Sequence, residues 1–328
     1  MTHSVVFPVG ATRCACLCLA QGAALPRTLH DLDGSIGLTL LHGDLETLAL
    51  IGTQINSGII STNNGAALLS QMGGYAPITT TAMPHRLSRK RVNLRVAPNH
   101  IVHLARSEVG DNGRLTLVVA DDAGVIYHRI EVAEPYDQAV IATLDAAANE
   151  KGPFRPIIPT MPPNNIVSLS AVRCARATWD GYDTGQHLNN ILADGGKSRS
   201  KILPHIGKNK AWPVLVKALK FFMIHLHNSL ISYSQNVSGN GLIQSMIVKG
   251  GTLRLLDKIL MIQNQHHSFA IDLVQVDSVW VTAIGPFHQL EIYAADGRAI
   301  AVFGADTKCG IRHWNALLCS LPLAARAF

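Results

Sequence analysis

Two stretches of the chain share one pattern of apolar and polar positions. Gly113 to Val132, GRLTLVVADDAGVIYHRIEV, is apolar on either side of Asp121-Asp122-Ala123-Gly124, and His288 to Gly304, HQLEIYAADGRAIAVFG, repeats the pattern around Asp296-Gly297. Short apolar runs broken by such turn residues predict β-hairpins. A segment of helical period follows each hairpin, EPYDQAVIATLDAAANE from Glu134 and CGIRHWNALLCSLPLA from Cys309. Upstream strands also correspond, VNLRV from Val92 and FAIDL from Phe269. Each half therefore ends strand, hairpin, helix, and a repeat of domain size points to an internal duplication rather than a solenoid. The expected fold class is α+β, with two tandem structural repeats, each a large antiparallel β-sheet with flanking helices.

The segment NEKGPFRPIIPTMPPNN holds five of the fifteen prolines and forbids regular structure near the middle of the chain. The expected organisation is an N-terminal extension without fixed structure over 1–33, a first repeat over 34–150, a Pro-rich linker and inter-repeat helix over 151–210, and a second repeat over 211–328. In YDTGQHLNNILADGG, Tyr182, Leu188, Ile191 and Leu192 fall near helical spacing, with Asp183 or Thr184 as N-cap and Gly195-Gly196 as the stop. A further helix is expected over about Trp212 to His227, with Pro213 in its first turn.

At 328 residues, with 48% apolar and 15% charged residues, the chain can bury two cores without disulfide or metal staples. The six cysteines, Cys14, Cys16, Cys18, Cys174, Cys309 and Cys319, form no C-x-x-C pair, which suits a reducing cytosol. Arg13 interrupts the apolar segment from Ser4 to Leu29, which has no basic leader, so it is a poor signal peptide. The apolar run near Phe221 to Leu226 falls far short of the ~20 residues that span a bilayer. A cytoplasmic protein without stable membrane insertion is expected. A net charge of +6 favours an anionic partner without choosing its kind.

Asp183-Thr184-Gly185 has the spelling of an aspartic protease site, but such a site needs two carboxylates in tight loops, and no second Asp-Thr-Gly or Asp-Ser-Gly exists. A helix cap is the better reading. His225/His227, His266/His267 and His100/His103 lack the convergent carboxylate or thiolate partners of a metal site. The basic run HRLSRKRVNLR carries Arg86, Arg89, Lys90, Arg91 and Arg95. With 5% aromatic residues there is little to stack bases, so no nucleic-acid partner is expected. Arg95 stands apart because it sits inside a strand pattern, where a guanidinium can bind a carboxylate in bidentate fashion.

The order of several segments resembles the cytoplasmic haemin-degrading and haemin-transport factors of the HemS/ChuS type. The resemblance is carried by ISTNNGAALLSQMGGYAPI, VNLRV, the inter-repeat helix with the downstream GKSRSKIL, and SVWVT followed by LEIYAADGRAIAVFG, over about Gly34 to Pro322. It implies one haem b in a cleft between the C-terminal part of the chain and the inter-repeat helix. The implied function is to receive imported haem in iron acquisition and degrade it oxidatively, with O2 and an external reductant. The alternatives are a non-enzymatic carrier that delivers haem to a separate oxygenase, and a divergent member that has lost haem and serves as an interaction module. A haem ABC importer or a haem oxygenase would be the protein partner.

By the same resemblance Arg95 matches the distal, catalytic arginine, and Arg199 a propionate-binding arginine, with Lys308 and Arg312 as further propionate cations. Counting back from Arg199 places the proximal iron ligand at Gln186, a weak oxygen ligand. His187, one position on, is the expected iron ligand. Ala97, Ala283, Ile284, Ala305 and Asp306 stand where the family carries aromatic, polar or basic residues.

Overall fold

The computed structural model describes residues 28–29, 37–77, 79–80, 87–97, 100, 102–107, 113–144, 167–306 and 310–325. The cysteines of the CACLC segment, most of the 1–33 extension, the Pro-rich linker, Cys309 and Lys308 lie outside the described residues. Strands are β1 (Leu38–Leu41), β2 (Gly58–Asn63), β3 (Ala67–Gly73), β4 (Thr79–Thr80), β5 (Asn93–Val96), β6 (His103–Ser107), β7 (Leu115–Ala120), β8 (Ile126–Val132) and β9 (Ala211–Val214). They continue as β10 (Tyr233–Ser238), β11 (Leu242–Val248), β12 (Thr252–Leu256), β13 (Ile259–Gln263), β14 (His267–Asp272), β15 (Ser278–Ile284), β16 (Phe287–Tyr293) and β17 (Ala299–Ala305). Helices are α1 (Leu45–Gln54), α2 (Pro135–Ala142), α3 (Leu169–Thr178), α4 (Thr184–Leu192), α5 (Lys197–Ile206), α6 (Ala218–Asn228) and α7 (Ile311–Cys319).

These strands form a nine-stranded sheet ordered β1-β6-β7-β8-β2-β3-β14-β13-β12 and an eight-stranded sheet ordered β4-β5-β11-β10-β17-β16-β15-β9. All pairings are antiparallel except β4 with β5. Both expected hairpins form, each with a bulge in its register, and α2 and α7 follow them as the apolar periods predict. The two orders repeat one plan, and the correspondence between VNLRV and FAIDL acquires a physical meaning. β5 leaves the first half to pair with β11, Arg95 opposite Ile243, and β14 leaves the second half to pair with β3, Phe269 opposite Leu69. Each crossing strand covers an edge that the other half would otherwise leave unpaired. Neither sheet is therefore built by one half alone.

The expected helix over Trp212 to His227 is corrected in its first turn. Ala211–Val214 is the edge strand β9, with Pro213 opposite Trp280, and the helix begins at Ala218. A proline tolerated at a helix start is equally tolerated on a sheet edge, where one side of the strand has no ladder to donate to. Inside the expected extension, Thr28 bridges Val125 and the buried Leu29 donates its N–H to the Gly124 carbonyl at 2.8 Å, so this point of the chain is fastened to the first hairpin.

A polar chain joins the two sheets. Tyr75 donates its hydroxyl to Nε2 of His128, whose Nδ1 lies 2.7 Å from Thr62 Oγ1, and Thr62 donates to Gln244 Oε1 at 2.7 Å. Every member is buried, which makes a complete chain worth more than its separate bonds. α1 closes on Tyr75 through Gly52, where a Cβ would sit 1.6 Å from the ring.

Candidate functional site

Asp183 caps α4 as its spelling predicts. Its Oδ1 accepts the Gln186 N–H at 2.7 Å, and the Gln186 Oε1 accepts the Asp183 N–H at 2.8 Å, a reciprocal capping box. The carboxylate of the Asp-Thr-Gly triplet thus satisfies a backbone donor of its own helix. The side chain of Gln186 is committed to the same motif.

His187 points the other way. Successive helical residues are turned by about 100°, and this places His187 against the second sheet, 1% exposed. Its ring meets Trp179 edge-on, with centroids 4.5 Å apart, and Tyr182 likewise at 5.7 Å. Arg199 Nη1 lies 2.9 Å from Nδ1, and Nε2 lies 3.3 Å from the Trp179 carbonyl. A guanidinium only donates, so Nδ1 accepts and Nε2 carries the proton. Burial, and then the charge of Arg199, push the His187 pKa down to about 4, keeping the ring neutral.

Arg199 is itself buried and held in a fork. Its Nε and Nη2 donate to the two oxygens of Glu291 at 2.8 and 2.6 Å, and its guanidinium carbon lies 4.9 Å from the Trp179 ring centroid. Glu291 also accepts from Thr282 at 2.6 Å and Tyr293 at 2.5 Å. Burial opposes ionisation of Glu291, but the Arg199 charge and these donors outweigh it and hold its pKa low. Both charges stand, and the cluster fastens α4, α5 and the Trp179 turn to β15 and β16.

On the opposite side of α4 lies Arg95. It is 2% exposed, and its Nε donates to Asn189 Oδ1 at 2.6 Å. Burial lowers its pKa, and the charge of Asp183 works against that. Gln186 and Asn189, three residues apart, share a helical face, so position 186 lies toward Arg95 while His187 lies away from it. Four of the expected site residues, Arg95, Gln186, His187 and Arg199, therefore surround one helix but on two faces. Arg312 is exposed on the first turn of α7 and makes no hydrogen bond or ion pair among the described residues. Asn189, Glu291, Thr282 and Tyr293 belong to the site and are not singled out by motif. A signal for Glu291 exists, because a carboxylate flanked by Leu290 and Ile292 within a buried strand demands a partner.

His128, His187 and His267 are all buried with pKa values pushed down to about 3, 4 and 4, in each case chiefly by burial. A folded-state value below the unfolded one gives stability that is present above about pH 6.5 and is lost as pH falls toward the folded values. Unfolding free energies from urea titrations at pH 7 to 4.5 are expected to decline, by up to about 1.4 kcal/mol per pH unit for each histidine. A flat profile over that range would contradict the burial.

No protein-family model and no curated protein sequence matches the chain. Among solved structures, apo-PhuS, a heme-binding protein from Pseudomonas aeruginosa, superposes with a TM-score of 0.73 at 18% identity, covering 90% of each chain. ChuS, a heme degrading enzyme of Escherichia coli O157:H7, gives 0.71 at 14% identity over 96% of this chain and 95% of its own. The chain has the HemS/ChuS-type fold. A second structure of ChuS, described as an E. coli heme oxygenase, agrees at 0.70 and 16% identity over 89% of this chain and 90% of that one.

The described residues do not fit a haem held by an imidazole from α4. Gln186, on the helical face that carries Asn189, caps its own helix, and His187 has both ring nitrogens engaged on the buried side. Iron ligation through Nε2 would require the proton to move to Nδ1, against the donor of Arg199. Among the described residues no group of three or more His, Cys, Asp or Glu is arranged to hold a metal ion, and no helix is long and apolar enough to cross a membrane.

Proposed function

We propose that this protein binds and carries haem rather than degrading it, taking it up without a histidine ligand from α4. The fold shared with PhuS and ChuS supports haem as the cargo. The single observation that favours carriage over ring opening is the position of Gln186 on the Arg95 side of α4, with His187 locked behind it. Oxygen chemistry at haem iron depends on the axial ligand for its electronics, and a cleft that receives no imidazole from α4 suits retention and release. Arg95, bonded to Asn189, is the proposed distal cation on this face, and Lys308 and Arg312 are the proposed propionate partners. Arg199 is the remaining propionate candidate, and it joins them only if it leaves Glu291. The proposed place of such a carrier is the cytoplasm, between a haem importer and a separate oxygenase, in iron acquisition.

Haemin titration followed by absorbance tests this reading. Saturable binding is expected, with a broad Soret band lacking imidazole character, which persists when ascorbate is added under air. Decay of the band with a product absorbing in the red would establish the enzyme instead. Absence of saturable binding would leave only the fold in common with the haem proteins.

A further inference from the structure

A cavity of about 360 Å³ lies where the two halves meet, away from Arg95 and Gln186. The turn after β2, the turn after β10, both long hairpins and the turn between α4 and α5 all contribute to its wall. That volume is within the range of roughly 300–1,000 Å³ usual for small-molecule sites. Val125 and Ile300 supply apolar wall, and the Tyr127 ring packs where Gly239 leaves room, since a Cβ there would come within 2.5 Å of it.

The polar groups are unequally used. Asp194 turns its two oxygens to the backbone N–H groups of Gly196 and Ser198 at 3.0 and 2.8 Å, and Asp121 Oδ1 accepts from Ala123 and Val125 at 3.0 and 2.9 Å. The donors are less committed. The Lys197 side chain forms no hydrogen bond or ion pair among the described residues, its charge acting only at longer range on Asp296. Arg298 engages Asp296 through Nε and the Asn64 carbonyl through Nη1 at 3.2 Å, leaving Nη2 without a partner. Asn63 spends only its oxygen, on the Gly65 N–H at 2.8 Å, and the Asn240 amide forms no hydrogen bond among the described residues. A wall that offers donors from four side chains, two of them cations, and has turned most of its carboxylate oxygens to backbone calls for a ligand rich in acceptors.

We propose that this junction is a binding site for a small oxyanion-bearing molecule, one carrying a phosphate or a carboxylate beside a compact uncharged body. Lys197 and Arg298 would bind the oxyanion, Asn63 and Asn240 would donate to its polar body, and Val125 and Ile300 would cover the remainder. Because each half and the α4–α5 turn supply part of the wall, a bound molecule would stiffen the junction.

The test is calorimetric titration of the full-length chain, without haem, with AMP, citrate and inorganic phosphate, and with adenosine as the neutral control. At least one anion is expected to bind saturably and adenosine not at all, AMP against citrate separating phosphate from carboxylate recognition. Lys197→Met, which removes no bond of the folded protein, is expected to weaken binding by at least about tenfold with an unchanged thermal midpoint. Arg298→Met should also weaken binding, with some loss of stability because it gives up Asp296 and the Asn64 carbonyl, and if that variant fails to fold, Lys197→Met alone decides. No binding by any of the three anions, or equal binding by Lys197→Met, overturns the site.

Discussion

Glu291→Leu is expected to cost about 3–5 kcal/mol of unfolding free energy, because it leaves the Arg199 guanidinium buried without a counter-charge. The figure applies here because Arg199 is 3% exposed and Glu291 is fully buried, so solvent screens neither. Thr282 and Tyr293 would lose their acceptor at the same time, adding two buried hydroxyls without partners. The double variant Arg199→Met with Glu291→Leu removes both charges and is expected to recover most of the loss, since an apolar pair of similar volume avoids the desolvation of two ions. Urea unfolding of the two variants and the wild type checks this. If the single and double variants prove equally mild, the pair is not the clamp that holds α4 and α5 on β16. Hydrogen exchange gives the same answer locally, with α4 and α5 losing protection in the single variant ahead of the core strands.

What was legible beforehand divides along the range of the interactions. Local chemistry was readable: the Asp183 cap is a rule of three residues, and the turns at Asp121 to Gly124 and Asp296-Gly297 announce both hairpins. Pro213 is ambiguous in sequence because its fixed φ and missing N–H suit a helix start and a sheet edge alike, and only the pairing of β9 with β15 separates them. The exchange of β5 and β14 between sheets could not be read, since either strand pattern would serve equally in its own half. At the site, Arg95 stood out as a cation within a strand, and Arg199 only through resemblance to a family. The partners that decide their roles, Asn189 and Glu291, are distant in sequence and carry no motif. Gln186 and His187 were identifiable as a pair, but which of them faces Arg95 depends on how α4 is rotated against β15 and β16.

Gln186→His is expected to convert the spectrum of the haem-bound protein to that of an imidazole-ligated haem and to tighten binding by at least about tenfold, or 1.4 kcal/mol. The substitution places an imidazole on the helical face shared with Asn189, whose side chain already reaches Arg95. It also removes the half of the capping box that Gln186 supplies, an exposed interaction whose loss costs the helix only about 0.5–2 kcal/mol. Asp183 still accepts the N–H of residue 186, so the helix start survives. The counterpart is His187→Ala, for which no change in Soret position or affinity is expected, because that ring is enclosed by Trp179, Tyr182 and Arg199. Its effect should instead be on stability, since the Nη1 donor of Arg199 loses its acceptor in a buried site. The two variants answer one question from opposite sides. Should His187→Ala abolish an imidazole-type spectrum while Gln186→His leaves it untouched, α4 turns by a residue when haem arrives and His187 is the ligand. The reverse result fixes position 186 as the iron-facing site and accounts for a carrier that has exchanged the ligand for a helix cap.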